Sequence, residues 1–313
     1  MPIRVPDKLP AIDTLRQENI YVMPAHRADT QDIRPMQVAV LNLMPDKITT
    51  EIQLIRLLSN MSLQVDVELV RLEHQAKNTS EDHLDNFYRY FSDIKHKNYD
   101  GLIVTGAPLG LKKYEDVTYW EQLKEVFDWA DKHVTSTLFL CWAAYSAIYH
   151  HYGIRHHVRE DKLSGVYLHE KWQAKLPIIR GFDDEFFVPH SRYGYVPLDK
   201  LEQEPDIICV SGSDEVGAFL MQNQSGTRVF ITGHPEYDRL TLHDEYKRDL
   251  DAGLNPDLPV NYYPQDNYQR APKKRWQAHG YLLFSNWLNY YVYQKTPYDL
   301  SQVSNNIRTE NFA

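Results

Sequence analysis

A cysteine and a Gly-His-Pro-Glu sequence, almost a hundred residues apart, are the parts of this sequence best suited to chemistry. Cys141 lies between the apolar run 136–140 and a stretch, 142–148, whose pattern predicts a helix. Amides at a helix N-terminus favour a thiolate. His234 and Glu236 follow a second apolar run, 228–232. A nucleophile, a base and an acid that orients the base are thus present, in an order that suits thiol-based acyl transfer.

Each of the three residues also has a structural interpretation. A free cysteine is often a buried core residue, a loop histidine can bond the backbone, and a glutamate can begin a helix. Cys209, in the apolar run 207–210, is predicted to be such a buried, inert thiol. The joint occurrence of Cys141, His234 and Glu236 at two predicted strand ends favours catalysis over the structural alternative.

The loop Thr105-Gly-Ala-Pro-Leu-Gly110 ends a third predicted strand. Glycine permits close backbone approach, so the amides of Gly106 and Ala107 are candidates for stabilising an oxyanion. A plain tight turn is the alternative. The spacing of a phosphate-binding loop, Gly-x4-Gly-Lys-Ser/Thr, is absent from this segment.

Two pairs of adjacent histidines, 150–151 and 156–157, invite a metal interpretation. Adjacent side chains point in different directions, and the helical spacing of zinc ligands is missing, so no metal site is predicted. The basic triplet 273–275 is predicted to be a solvated helix start rather than a nucleic-acid contact.

The elements that must position these residues follow an alternating pattern. Mostly apolar runs at 36–43, 64–71, 100–105 and 136–140 alternate with helical patterns at 47–60, 81–94 and 118–134. Such alternation predicts an α/β fold with a parallel sheet and helices on both faces. Ligands bind at the carboxyl ends of such strands, where Cys141 and His234 fall.

The rest of the chain is predicted in less detail. Residues 163–187 are expected to be mixed or antiparallel; 207–210, 216–221 and 228–232 are expected to be short adjacent strands. Helices are predicted at 241–252 and 274–294, with a loop at 255–272 between them. The predicted organisation is an extended N-terminal segment that wraps the surface (1–35), one domain (36–297) and a C-terminal tail (298–313).

Composition excludes several classes of protein. Of the 313 residues, 42% are hydrophobic and 25% are charged, which suits a normal buried core. No apolar run approaches the length of a membrane helix, and the start of the sequence lacks the apolar region of a secretory signal, so a cytoplasmic location without a membrane partner is expected. A net charge of −9 argues against a nucleic-acid partner.

Separated motifs in this chain resemble the homoserine O-acyltransferases (transsuccinylases) of bacterial methionine biosynthesis, from residue 1 to about residue 300. They include Asn42-Leu-Met-Pro45, Val104-Thr-Gly-Ala-Pro108, Cys141-Trp142, Arg180-Gly-Phe-Asp-Asp184, Pro189-His-Ser-Arg192 and Gly233-His-Pro-Glu-Tyr237. The resemblance implies a class I glutamine amidotransferase-like (flavodoxin-like) fold. It also implies a ping-pong reaction, in which Cys141 takes the acyl group from an acyl-CoA and L-homoserine then accepts it.

The resemblance assigns roles to further residues. His234 would be the general base and Glu236 its partner. Lys47 matches a lysine near the active centre, and Lys162, Ser191 and Arg248 match substrate-contacting positions. From the residues alone, the three cations would be surface charges, although a guanidinium suits a bidentate grip on a carboxylate. No permanently bound cofactor is implied; the acyl-CoA is a co-substrate.

Gly110 matches the position that distinguishes acyl donors in this family, where glycine accompanies succinyl-CoA and glutamate accompanies acetyl-CoA. A glutamate would crowd and repel the succinyl carboxylate, so succinyl-CoA is favoured, with acetyl-CoA as the alternative. Tyr145 stands where the family usually has glutamine, and Asp46 replaces a common lysine. A tyrosine one helical turn after the nucleophile could shorten the acceptor pocket, so L-serine remains an alternative acceptor.

A glutamine amidohydrolase is the alternative from another class of enzyme. Its usual Gly-x-Cys-x-Gly sequence is missing around Cys141, and no synthetase partner domain is present in the sequence. A non-enzymatic binding protein is disfavoured because all three catalytic residue types are present. The oligomeric state stays open, with a homodimer as one possibility.

Overall fold

The computed structural model describes residues 3–6, 8–17, 22–24, 34–59, 61–73, 75, 78–297 and 300–303. Within these residues the strands are β1 (Ile3–Val5), β2 (Val22–Pro24), β3 (Met36–Leu41), β4 (Val65–Arg71), β5 (Tyr88–Tyr90), β6 (Tyr99–Val104), β7 (Val134–Leu140), β8 (His157–Lys171), β9 (Glu185–Tyr195), β10 (Ile207–Ser213), β11 (Gly217–Asn223) and β12 (Arg228–Ile231).

The helices are α1 (Ala11–Gln17), α2 (Lys47–Leu58), α3 (Glu81–Phe87), α4 (Phe91–Ile94), α5 (Trp120–His133), α6 (Trp142–Tyr152), α7 (Leu198–Glu202), α8 (Thr241–Asp251) and α9 (Gln277–Asn286). A π-helix, Trp287–Tyr293, continues α9. Short 3₁₀ turns lie at Tyr114–Asp116, Pro177–Ile179, Pro264–Asp266 and Leu300–Gln302. No helix in the described part of the chain is long and apolar enough to cross a membrane.

All the strands belong to one sheet, whose two halves differ. The order is β2-β1-β4-β3-β6-β7-β12-β11-β10-β8-β9, with β5 beside β4. Neighbours from β2 to β12 are parallel, and neighbours from β12 to β9 are antiparallel. The parallel half has the predicted alternation of strands and helices. The predicted antiparallel character of the middle of the chain is confirmed.

Alternation along the central strands divides the core between the two faces of the sheet. Val38 and Val40 of β3 pack in one cluster with α1, α2 and α9. Ala39 and Leu41 of the same strand pack in a second cluster with α5 and α6. Because side chains of a strand alternate between faces, both faces of β3 are covered, as expected for a parallel sheet.

Three predicted elements differ from the structure. The N-terminal segment, predicted as extended, contains α1, and its Val5, Leu9 and Leu15 are buried in the main core rather than wrapped over the surface. The helix predicted at 81–94 is divided by β5, because Tyr88 pairs with Leu69 of β4. The final helix begins at Gln277 and ends in the π-helix. Most of the predicted tail, 298–313, lies outside the described residues.

Candidate active site

Cys141 occupies the turn between β7 and α6, with a φ of 47°. A positive φ is uncommon for a residue other than glycine and costs on the order of 1–3 kcal/mol, so the surroundings must hold it. The Cys141 N–H donates to the Ile231 carbonyl at 2.7 Å, which ties the turn to the end of β12. Ala143 and Ala144 are fully buried and small enough for α6 to pack directly behind the turn.

His234 and Glu236 lie beside Cys141 because the strands before them end at the same level. Leu140 is opposite Ile231 in the parallel β7–β12 pair. His234 Nδ1 is 2.7 Å from Glu236 Oε1, and both side chains are buried. The carboxylate accepts the Nδ1 proton, so Nε2 is the ring nitrogen available to the thiol.

The electrostatics of this trio favour a protonated His234 imidazole. Burial lowers the pKa of His234, but the charges of Cys141 and Glu236, together with hydrogen bonds to both, outweigh burial and raise that pKa well above its ordinary value. An imidazolium beside a thiolate is the activated form of a cysteine nucleophile. The arrangement can therefore perform nucleophilic acyl transfer.

Tyr237 supports the imidazole from one side. Its ring stacks on the His234 ring with centroids 4.1 Å apart and planes 19° apart. Its hydroxyl donates to Glu245 Oε1 at 2.7 Å. The Trp276 indole N–H donates to the Tyr237 carbonyl at 2.9 Å, so both ends of Tyr237 are fixed. Rotation of His234 out of line with Glu236 is thereby restricted.

Three backbone amides near Cys141 are candidates for an oxyanion hole. Within the described residues, no acceptor is found for the N–H of Gly106, Ala107 or Trp142. A Cβ atom on Gly106 would lie 3.2 Å from the Cys141 Cβ, so glycine allows this loop to approach the nucleophile. Unpaired amides converging on a nucleophile can bind a developing negative charge.

The predicted substrate contacts Lys162, Ser191 and Arg248 are far apart in sequence, but all three bond to acidic residues of α8. Lys162 Nζ lies 2.9 Å from Asp249 Oδ2 and 3.4 Å from Glu245 Oε2. The Ser191 hydroxyl donates to Glu245, and Arg248 donates to Asp249 Oδ1 through Nε and an Nη at 2.9 and 2.7 Å. We call these five residues the charged cluster. Its Glu245 also receives the Tyr237 hydroxyl, which connects the cluster to His234.

Glu245 and Asp249 were not singled out from the sequence. The two residues lie one helical turn from each other on α8. Although burial raises the pKa of Asp249, hydrogen bonds from Lys162 and Arg248 hold that pKa below its ordinary value. The available signal was the i, i+4 spacing of two acids around Arg248, but such spacing is common on solvated helices.

Gly110 lies against Tyr193 and Gly194 of β9, two and three residues after Ser191 of the charged cluster. A Cβ atom placed on it would be 3.9 Å from the Gly194 nitrogen and from the Tyr193 Cβ, which is ordinary contact. Neither crowding nor a positive φ requires glycine at this position. The residues around it are Tyr114, Tyr145, His156 and Gly194, and with Gly110 we call them the neutral cluster.

Tyr145 points into the neutral cluster. It is buried, its ring lies 5.9 Å from that of His156, and a Cβ on Gly194 would be 3.4 Å from its Cε2. Its hydroxyl has no hydrogen-bond partner within the described residues and lines a cavity of about 10 Å³ that no member of the charged cluster lines. Burial raises the pKa of Tyr145 to about 12. The hypothesis that Tyr145 shortens the acceptor pocket stays a prediction.

Lys47 is enclosed rather than open to a ligand. It is 1% exposed, and its ammonium donates to the carbonyls of Asn42 and Met44 at 2.7 and 3.2 Å. Burial lowers its pKa to about 7, with the charge of Glu51 opposing the shift. The loop it holds is tied to the Gly106 loop, since the Leu43 N–H donates to Thr105 Oγ1 at 2.7 Å. Lys47 is thus placed to position the loop next to Cys141.

Two buried histidines behind His234 were missed by sequence reasoning. Arg192 Nε donates to His190 Nδ1 at 3.3 Å, His190 Nε2 lies 3.0 Å from His169 Nε2, and His169 Nδ1 lies 3.0 Å from the Tyr167 carbonyl. One set of tautomers satisfies the whole chain: His190 donates through Nε2, and His169 donates through Nδ1. Burial lowers the pKa of both rings, that of His169 to about 4, so both stay neutral.

This histidine pair supports the loop that carries His234. A Cβ on Gly233 would lie 3.0 Å from His190 Cε1, and the His234 N–H donates to the Pro189 carbonyl at 2.8 Å. The signal for His190 was present in the motif Pro189-His-Ser-Arg192, but only the fold brings His169 beside it.

A solved structure shows which fold the chain has. A glutamine amidotransferase from Thermotoga maritima superposes with a TM-score of 0.51 at 12% sequence identity, covering 82% of this chain and 98% of its own. That likeness concerns the fold alone. The predicted class I glutamine amidotransferase-like fold is confirmed.

The family follows from sequence. The family model described as homoserine O-succinyltransferase matches residues 2–298. A homoserine O-succinyltransferase from Pseudoalteromonas translucida is 56% identical over the full length of both chains, and one from a Shewanella species is 54% identical over 97% of both. The chain belongs to the homoserine O-succinyltransferase family. The predicted family is confirmed, and with it the class of enzyme, an acyltransferase.

Proposed function

We propose that this protein transfers the succinyl group of succinyl-CoA to the hydroxyl of L-homoserine through a thioester on Cys141. The observation that carries the proposal is the placement of Cys141 beside the His234–Glu236 pair, with the charged cluster joined to the same imidazole through Tyr237. Relatives that are more than half identical over the full chain carry this activity in their names.

In the first half-reaction, His234 holds the proton of the Cys141 thiol and the thiolate attacks the thioester carbonyl of the donor. The oxyanion of the tetrahedral intermediate accepts hydrogen bonds from the N–H groups of Gly106, Ala107 and Trp142. Collapse of the intermediate breaks the bond to the CoA sulfur, which takes the proton from His234. Cys141 is then succinylated and His234 is neutral.

In the second half-reaction, neutral His234 removes the proton of the homoserine hydroxyl as this oxygen attacks the Cys141 thioester. The same amides stabilise the second oxyanion. Collapse of this intermediate breaks the bond to the Cys141 sulfur and releases the O-succinyl ester. His234 keeps the proton, so the imidazolium and the Cys141 thiolate are restored. Glu236 stabilises the imidazolium in both halves without taking the proton.

The charged cluster suits the ends of an amino acid. Arg248 and Lys162 can receive its carboxylate, and Glu245 and Asp249 can receive its ammonium group. Gly110 leaves room beside β9 and adds no charge, which supports a donor with a distal carboxylate. Succinyl-CoA enters as a substrate, and no resident cofactor is proposed. The cytoplasmic location and the lack of a nucleic-acid or membrane partner stay predictions, and the homodimer stays an open alternative.

The test combines two donors with two acceptors. Purified enzyme is given succinyl-CoA or acetyl-CoA with L-homoserine or L-serine, and free CoA is measured. We expect the succinyl-CoA and homoserine pair to have the highest kcat/KM. With succinyl-CoA alone, mass spectrometry of the Cys141 peptide should show one succinyl group.

The variant Cys141→Ala should lose at least 1,000-fold in turnover, on the order of the loss seen when a nucleophile is removed. The control is Cys209→Ala, since burial raises the pKa of Cys209 to about 12 and keeps its thiol protonated. Substantial turnover by Cys141→Ala would rule out the covalent mechanism. A preference for acetyl-CoA or for serine would rule out the corresponding half of the proposed specificity.

A further inference from the structure

His156 lies directly behind Gly110 and has contacts on three sides. It is 9% exposed. Its Nδ1 is 2.5 Å from the Tyr114 hydroxyl, and its ring lies beside the backbone of Gly110. A Cβ atom on Gly194 would be 3.1 Å from its Cδ2. The imidazole therefore fills the space between the Gly110 loop and β9.

Tyr114 fixes one side of that imidazole. The tyrosine is fully buried, and its ring stacks between Trp120 and Tyr149 with centroids 5.0 and 4.9 Å away. Burial raises the pKa of Tyr114, so its hydroxyl stays protonated. It donates to His156 Nδ1, which leaves Nε2 as the ring nitrogen that carries the proton.

Burial lowers the pKa of His156, which agrees with a neutral ring in this position. The ring thus contributes shape and one directed hydrogen bond, and adds no charge beside Gly110. The segment from Gly110 to Tyr114 is short; His156 bonds its Tyr114 end and lies beside its Gly110 end. Loss of the imidazole would release this segment from β9.

We propose that His156 is a positioning residue for acyl-donor specificity. It acts by holding the Gly110 loop at a fixed distance from Tyr193 and Gly194 of β9. This distance sets the width of the pocket that receives the distal end of the acyl group. Tyr114 and Tyr145 orient the imidazole from its two sides. The inference rests on the proposed function, because it assumes that the donor's acyl group lies beside Gly110.

The test uses variants that remove one contact at a time. His156→Leu removes the imidazole and its hydrogen bond to Tyr114, and Tyr114→Phe removes a hydroxyl but keeps the stacked ring. His156→Gln keeps an N–H near the position of Nε2 and serves as the conservative replacement. His157→Leu is the matched control, because His157 is exposed and its ring packs on Tyr195 instead.

The readout is the rate of thioester formation on Cys141 with succinyl-CoA and with acetyl-CoA, followed by mass spectrometry without acceptor. We expect His156→Leu to lower the ratio of succinyl to acetyl rates at least fivefold and Tyr114→Phe to lower it about threefold. His156→Gln should keep most of the wild-type ratio, and His157→Leu should keep all of it. The homoserine KM should stay within twofold in every variant.

A ratio unchanged in both His156→Leu and Tyr114→Phe would overturn the inference. An equal loss with both donors, shared by His156→Gln, would also overturn it, since that is the result of a merely structural role. Failure of the proposed function looks different: wild-type enzyme would then form no succinyl thioester on Cys141. The ratio of each variant is compared with the wild-type ratio. If His156→Leu does not fold, Tyr114→Phe alone therefore still tests the inference.

Discussion

The charged cluster and the neutral cluster each include a residue of β9, but the first consists mainly of charged side chains and the second of uncharged residues. Ser191 joins Lys162, Arg248 and two acids on the partly exposed helix α8. Gly194 joins a buried imidazole and two buried tyrosines that carry no charge. In the proposed function, the first region recognises the acceptor by ion pairs, whereas the second admits the acyl group by leaving space.

The difference teaches how one strand can separate two specificities. Ion pairs between long side chains on a partly exposed helix tolerate small shifts, because such side chains can follow their partners. A buried pocket defined by ring positions does not, since packed interiors resist displacement. We therefore expect substitutions in the neutral cluster to change which donor is used, and substitutions in the charged cluster to change how well the acceptor binds.

The largest effect is expected from Gly110→Glu. A carboxylate there would meet the distal carboxylate of the succinyl group, and like charges in a water-poor site cost several kcal/mol, so kcat/KM for succinyl-CoA should fall about 100-fold. Acetyl-CoA, which has no distal carboxylate, should lose less than threefold. Steady-state assays with both donors at saturating homoserine measure the two effects.

Gly110→Gln is the control that separates bulk from charge. It should keep much more succinyl-CoA activity than Gly110→Glu. If the two variants lose the same amount, crowding explains the discrimination and the electrostatic reason is wrong. If the Gly110 variants also change the homoserine KM, the two clusters do not control donor and acceptor independently.

A smaller effect is expected from Arg248→Lys. An ammonium cannot reproduce the planar pair of donors, so homoserine KM should rise about tenfold. Thioester formation from succinyl-CoA alone should keep its wild-type rate, because that half-reaction does not use the charged cluster. Stopped assays of both half-reactions check this, with exposed Lys247→Gln as the control. An unchanged homoserine KM would return Arg248 to the role of a surface charge.

The smallest effect is expected from His169→Gln, which lies behind the base shared by both regions. In the folded protein, burial lowers the pKa of His169 to about 4, so the ring stays neutral until the pH approaches that value. The unfolded chain binds a proton near pH 6.5, so acidification stabilises the unfolded state and the wild type loses stability as pH falls below that value. Between pH 7 and 5.5 this loss is about 1 kcal/mol for one such histidine.

His169→Gln should therefore lose about 1 kcal/mol less than wild type over this pH interval, as measured by urea unfolding. The donor and acceptor preferences should not change. Exposed His96→Gln controls for histidines in general. An identical pH dependence in wild type and His169→Gln would show that His169 is charged or solvated in the folded protein.

Much of the parallel half of the fold was predictable, because its signals are local. Buried strands such as β3 and β6 end in apolar runs, 38–41 and 102–104, and α5 shows a clear helical period. The division of residues 81–94 was not predictable, because Tyr88 joins β4 through a contact distant in sequence. The burial of α1 likewise depends on partners that local patterns do not reveal.

The candidate site was predictable to a different degree in its two regions. Cys141, His234 and Glu236 follow apolar runs that mark strand ends, so their meeting could be expected. Glu245 could not be, since its importance arises from Tyr237 and Ser191, which the fold brings to α8. The direction of Tyr145 also depends on tertiary packing, as Gly194 provides the space that its ring occupies.

In the proposed function, Asp249 has a consequence for turnover. It holds both Lys162 and Arg248, and Glu245 holds Ser191 and Tyr237, so every group offered to an amino acid also has a partner within the chain. The succinylated product keeps the ammonium and carboxylate groups of its acceptor, so those contacts cannot tell the two apart. Internal partners limit the affinity for both, and they give each cation a replacement when the product leaves. The charged cluster thus favours release of the product and binding of a new acceptor over tight binding of either one.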